Sequence, residues 1–263
     1  MDLGLTGKVA MVAAASKGLG RATAEELAAE GAHLVICARG GDALQAARDD
    51  IADRTGAEVH AVVADVSTIE GIELVAREAF SRYKKVDILV NNAGGPPSGP
   101  FEKHHWEDWD RAVQLTLRSA VELTRLMLPG MRARKWGRVL NVTSIAVKQP
   151  VDGLMLSNSV RAAVTGWART LANEVAGEGV TVNCILPGYT RTERVEQLNA
   201  ERASREGIEI EEIQRRIEAQ IPMRRLGEPR EFGALAAFLV SERASYITGQ
   251  SIPVDGGWIR SLL

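Results

Sequence analysis

The chain has 263 residues, of which 45% are hydrophobic and 25% charged, and its formal net charge is −2 at pH 7. This is an ordinary globular balance, enough for one large α/β domain or two small ones. It lacks the basic excess that nucleic acid or an anionic membrane would ask of a partner. Apolar runs break well short of a membrane span, and the opening MDLGLTGKVAMVAAASKG carries no basic stretch ahead of a long apolar one, so neither a transmembrane helix nor a signal peptide is expected. Cys37 and Cys184 sit in apolar, strand-like runs and read as buried free thiols of a reducing, cytoplasmic setting. His, Cys and carboxylate residues show no metal-ligand spacing.

Short β-rich runs alternate with longer amphipathic segments. VAMVAAA (9–15) leads into a helical stretch from Gly18 that stops at Gly31. LVICA (34–38) precedes a polar helix, GDALQAARDDIADRTG, and VHAVVAD (59–65) precedes TIEGIELVAREAFSRY. VDILVNNAG (86–94) ends in a loop, followed by a long helix from about His105 to Arg134. RVLNVTS (138–144) comes next, then a helix through Ala162 to Ala176, with Ser157 and Asn158 suited to capping its start. VTVNCILPG (180–188) and SIPVDGG (251–257) complete the pattern. The alternation predicts βαβ units in one domain spanning 1–263, an α/β, Rossmann-type, doubly wound parallel sheet of about seven strands covered on both faces. The charged segment 190–225 interrupts the rhythm. It reads as a helical insertion, solvated on one side and placed as a lid over the strand C-termini, where ligands bind in open α/β sheets.

The first strand runs into AAASKGLGRATAEELAAEGA, with Gly18 and Gly20 in the turn and at the helix start. Bare backbone there lets a phosphate approach the helix N-terminus, with its free N–H groups and positive dipole end. Alone, a glycine-rich turn is a weak signal; its place after the first strand of an alternating chain strengthens it.

From here the chain resembles the short-chain dehydrogenase/reductase family, from about Gly7 to Gly257. AAASKGLG looks like the family's TGxxxGxG, which implies cofactor contacts at Ala14, Ser16, Lys17, Gly18, Leu19 and Gly20. ADVS resembles the adenine-side segment, bringing in Asp65 and Val66, and NNAG (91–94) brings in Asn91, Ala93 and Gly94. VTVNCILPGYTRT resembles the stretch that wraps the nicotinamide, implicating Pro187, Gly188, Thr190 and Thr192; VDGG (254–257) resembles the C-terminal signature. Members similar to β-ketoacyl carrier-protein reductases include a divergent subgroup with an imperfect cofactor motif and tetrad, which this chain resembles.

Two features of the nucleotide end depart from the commonest pattern. The second strand ends Cys37-Ala38-Arg39, without the acid that grips a ribose 2′-OH in NAD-preferring members. Arg39 offers a planar fork of donors to a 2′-phosphate, and Lys17 adds a basic residue in the turn, so NADP(H) is expected over NAD(H). The motif's threonine and first glycine fall on Ala13 and Ala14. The turn is expected to form with Ala14 at negative φ.

The chemistry end departs further. The family's reduction uses a serine that polarises the carbonyl, a tyrosine that donates a proton, a lysine that lowers its pKa and holds the ribose, and an asparagine behind them. Ser144 matches the serine, whereas SNSVR places Ser157 and Arg161 at the tyrosine and lysine positions, and the asparagine falls on Thr116. No slip of register rescues a tyrosine, because none occurs between Tyr83 and Tyr189. Arg161 keeps a fixed charge for ribose hydroxyls. An aliphatic hydroxyl has a pKa far above the tyrosine value of about 10, so Ser157 is a poor acid. Among Lys148, Asp152, His104, His105 and Tyr189, the last is the best replacement donor, since it follows the turn beside the expected nicotinamide.

These residues suit an oxidoreductase acting on a small-molecule carbonyl or secondary alcohol with a remodelled proton relay. Two other readings are open: a nucleotide-binding or scaffold protein without turnover, and a non-redox lyase like the halohydrin lyases of this fold. The lyases share the arginine but keep the tyrosine and lose the nucleotide turn, the reverse of this chain. Val160, Val164, Trp167, Leu171 and Val175 form an apolar stripe at helical spacing. In relatives that helix meets a second subunit, so a homodimer or homotetramer is expected.

Overall fold

The computed structural model describes residues 1–262. In chain order its elements are β1 (Val9–Ala13), α1 (Gly18–Ala29), β2 (His33–Ala38), α2 (Gly41–Thr55), β3 (Val59–Val63), α3 (Ile69–Tyr83), β4 (Ile88–Asn91), α4 (Trp106–Val113), α5 (Ser119–Ala133), β5 (Gly137–Val142), α6 (Met155–Val175), β6 (Val180–Pro187), α7 (Glu193–Glu206), α8 (Ile210–Gln220), α9 (Pro229–Leu239) and β7 (Ser251–Val254). The strands form one parallel sheet in the order β3-β2-β1-β4-β5-β6-β7. Met11 of β1 stands between Val35 of β2 and Leu89 of β4, which fixes the central register.

Strand side chains alternate between two apolar layers, so the strands read as continuous apolar runs. Ala10, Val12, Leu34 and Ile36 point to one layer, shared with Leu27 of α1, Leu44 of α2 and Phe232 of α9. Met11, Val35 and Leu89 point to the other, shared with Val75 of α3, Leu123 of α5 and Ala168 of α6. This is the doubly wound arrangement the alternation predicts. Chain order departs from β1 in both directions, toward β3 and toward β7, and the crevice at this switch point is where such sheets bind ligands.

Several boundaries differ from the sequence reading. The rod from Trp106 to Ala133 is interrupted by a π turn at Gln114–Arg118. Such turns recur at functional sites, and this one carries the buried Thr116. Helix α6 starts at Met155, so Ser157 and Asn158 lie within its first turn; its N-cap, Leu154, makes no side-chain cap. Its buried stripe is Leu156, Val160, Val164, Ala168, Ala172 and Val175, with Trp167 and Leu171 packed at the margin. The insertion forms α7 and α8, and Ala203, Ile213 and Ile217 join the core beneath it. Among the described residues, no helix is long and apolar enough to cross a membrane.

Candidate dinucleotide and substrate site

The turn after β1 is held by close backbone contact. A Cβ at Gly20 would lie 2.3 Å from the Ala14 carbonyl oxygen, so only glycine lets α1 approach this closely. Asn92 Nδ2 donates to the carbonyls of Ala13 and Ala14 at 3.2 and 3.4 Å. Ala14 has φ 50°, in the left-handed region, not the negative φ expected for an alanine there. Gly18 adopts φ 59°, and no side chain caps α1 at Lys17, which leaves first-turn amides for an anion.

A cavity of about 880 Å³ opens from this turn. Its nucleotide end is lined by Ala14, Ser16, Lys17, Gly18, Leu19, Arg39, Asp65 and Val66. Ala93, Gly94, Pro187, Gly188, Thr190 and Thr192 line its middle, and Ser144, Ser157, Arg161 and Tyr189 its chemistry end. Arg39 is exposed and lies 4.0 Å from Asp65 Oδ2, while Asp65 Oδ1 accepts from the Ser67 amide and hydroxyl. Lys17 is ion-paired with Glu193 across the mouth, so it is less free than Arg39 to meet a phosphate.

Three expected site residues stand outside this cavity. Gly20 packs under the turn as described. Asn91 is buried behind the wall, its Nδ2 donating to Thr124 Oγ1 at 3.1 Å and Asn141 Oδ1 at 2.9 Å. Thr116 lines a separate cavity of about 10 Å³ that Asn91, Asn141 and Arg161 share. The Asn91 Oδ1 and Thr116 Oγ1 atoms have no partner there. Two unsatisfied acceptors and that volume suit one water at most.

Arg161 rises from α6 beneath the end of β5. Its Nη1 donates to the carbonyls of Val142 and Thr143 at 2.9 and 2.8 Å, and its Nε donates to Ser157 Oγ at 3.2 Å. Burial pushes this guanidinium down to about 10, and the charge of Arg194 pushes the same way. It remains protonated at neutral pH. Ser144 Oγ accepts from the Ala146 amide at 3.1 Å, which fixes the oxygen and leaves its proton for a ligand. Tyr189 lines the cavity with its ring edge-on to Trp258 at 5.9 Å, and burial raises its phenol pKa. Lys148, Asp152, His104 and His105 do not line the cavity. His104 instead lies 3.3 Å from the Gly99 carbonyl, and His105 caps α4.

Helix α7 covers the chemistry end with Arg194, Val195, Leu198 and Asn199. Sequence reasoning missed these and Asn92. The signals were present: Asn92 belongs to NNAG, and Val195, Leu198 and Asn199 form a less charged face on an otherwise charged helix. Uncapped amides, a glycine contact that brings α1 under the turn, and the exposed Arg39 guanidinium at the nucleotide end are groups that could hold a dinucleotide.

Residues 13–259 match the family described as Enoyl-(Acyl carrier protein) reductase. The chain is 33% identical over 257 residues to 3-oxoacyl-[acyl-carrier-protein] reductase FabG of Aquifex aeolicus, covering 98% of this chain and 99% of that one. It is 38% identical over 264 residues to D-beta-hydroxybutyrate dehydrogenase of Cupriavidus necator, covering 97% and 99%. L-Sorbose reductase from Gluconobacter frateurii, solved with NADPH and L-sorbose, superposes with a TM-score of 0.94 at 36% identity over 100% of both chains. The chain belongs to the short-chain dehydrogenase/reductase family of oxidoreductases.

Proposed function

We propose that the chain is a single dinucleotide-binding unit that uses NADP(H) to interconvert a small carbonyl compound and its secondary alcohol, with a proton relay rebuilt around Ser144, Arg161 and Tyr189. One observation carries this reading: a continuous cavity joins the uncapped α1 terminus and Arg39 to Ser144 and Arg161. The first turn of α1, Arg39, Asp65, Val66, Ala93, Gly94 and the 187–192 stretch would hold the dinucleotide. When bound, its nicotinamide supplies or accepts the hydride.

The protein's own groups do the rest. Ser144 donates its hydroxyl proton in a hydrogen bond to the substrate oxygen and polarises the carbonyl. Arg161 places a fixed positive charge beneath that oxygen without giving up a proton. Ser157 orients the Arg161 fork through its 3.2 Å contact. Tyr189 is the phenol that lines the cavity and is assigned the proton transfer. The buried free thiols Cys37 and Cys184 suit a cytoplasmic setting. Exposed Trp106, Val113 and Leu126 along one rod support self-association as a homodimer or homotetramer.

A second reading is favoured by one observation: the tyrosine position is a serine hydrogen-bonded to Arg161, so no phenol is joined to the ribose-binding cation. On that reading the protein binds the nucleotide without turnover. Oxidation of NADPH in the presence of a carbonyl panel decides between them. Turnover with any member supports the reductase, and tight nucleotide binding with no turnover across the panel supports the binding protein.

A further inference from the structure

Five cations line the large cavity, and they fall into two groups. Lys17 pairs with Glu193, Arg21 with Glu25 and Asp50, and Arg39 lies near Asp65. Arg161 and Arg194 have no carboxylate within ion-pair distance among the described residues. Arg161 is only 8% exposed, and its hydrogen-bond partners are two backbone carbonyls and a serine hydroxyl. Its Nη2 makes no hydrogen bond among the described residues, and the residue lines the large cavity. Arg194, on α7, donates from Nη2 to the Pro96 carbonyl at 2.8 Å and from Nη1 to Gln197 Oε1 at 3.2 Å, both neutral acceptors. Glu201 is the opposing charge within its field, but its oxygens accept from Ser98 and Gln197.

A buried guanidinium without a counter-ion is costly, and two facing one space also repel each other. A carboxylate between them removes both penalties and matches the planar fork of each. We propose that the chemistry end of the cavity is an anion site, in which Arg161 and Arg194 select carbonyl or alcohol substrates bearing a carboxylate. Asn199, buried on the same face of α7 and lining the cavity, adds a neutral amide beside it. The inference rests on the reductase reading of this cavity. The rival source of negative charge is the dinucleotide's own phosphates.

The test titrates the full-length protein, saturated with NADP⁺, with 2-oxobutanoate, 3-oxobutanoate and the methyl ester of each, following tryptophan fluorescence and calorimetry. At least one acid should bind about tenfold or more tightly than its ester, the loss expected when a charged hydrogen-bond partner is removed. Arg194→Gln should abolish that preference, Arg194→Lys should retain part of it, and NADPH affinity should change little in either. Equal binding of acid and ester by the unsubstituted protein, or binding of neither, would overturn the proposal without reference to any variant. So would an Arg194→Gln protein that loses NADPH affinity and keeps the acid preference, because the arginine would then serve the dinucleotide. If NADP⁺ does not bind at all, the reductase reading fails on its own. The same titration of the protein alone still decides the anion site by acid against ester.

Discussion

Arg161 donates its Nε to Ser157 Oγ at 3.2 Å, so the two residues that the sequence reading set at the lysine and tyrosine positions are bonded to each other. On the proposed relay, Ser157 orients the Arg161 fork and does not donate the proton. Ser157→Ala should therefore lower kcat only by about threefold, the loss of one neutral orienting bond. Ser144→Ala removes the hydroxyl proposed to polarise the carbonyl and should cost about 10²–10³ in kcat. Steady-state kinetics on both variants check the order; equal losses would return Ser157 to the proton relay.

Tyr189→Phe should lower kcat of reduction by about 10², the usual worth of a positioned general acid. A proton donor must be protonated to act, and burial raises the Tyr189 pKa above its ordinary value near 10. Reduction should therefore hold its rate through neutral and mildly alkaline pH and fall only as pH rises past that raised value. An alkaline limb unchanged in Tyr189→Phe would remove the residue from the relay.

Arg39→Ala should weaken NADPH by about tenfold or more and leave NADH nearly unchanged, since on the proposed reading only a 2′-phosphate would meet the guanidinium. Lys17→Ala should cost less, because Lys17 is already paired with Glu193. Glu193→Gln frees that lysine and should tighten NADPH by a few-fold, most clearly at low salt. Fluorescence titrations of the three variants with both nucleotides check the ranking.

Ala14 occupies φ 50°, where a Cβ is strained. Ala14→Gly should stabilise the fold by about 1 kcal/mol and raise Tm by a few degrees. Ala14→Val should lower it. A thermal melt in which Ala14→Gly is the less stable protein would mean that the turn does not adopt this backbone.

The doubly wound parallel sheet and its two apolar faces were legible because alternation between short apolar runs and amphipathic segments has few solutions in a parallel sheet. Motif spacing set Ser144, Ser157 and Arg161 together, and all three line the one cavity. What the sequence could not show was direction and partnership. Asn91 and Asn92 are adjacent in one tetrapeptide, yet strand alternation sends the first to the buried wall and the second to the turn. The sign of φ at Ala14 depends on how tightly Gly20 presses against its carbonyl, a contact between segments. Arg194 looks like one more charge on a charged helix until α7 is laid over the cavity, and the π turn at Gln114–Arg118 has no periodicity to betray it within a continuous helical pattern.

The central claim is that the cavity joining the α1 terminus to Arg161 binds NADP(H) in preference to NAD(H). Titration of the purified protein with NADPH and with NADH, followed by its tryptophan fluorescence, tests it directly. The account predicts NADPH binding at micromolar concentration or tighter and NADH at least about tenfold weaker. Equal affinities, tighter NADH, or no binding of either would contradict it.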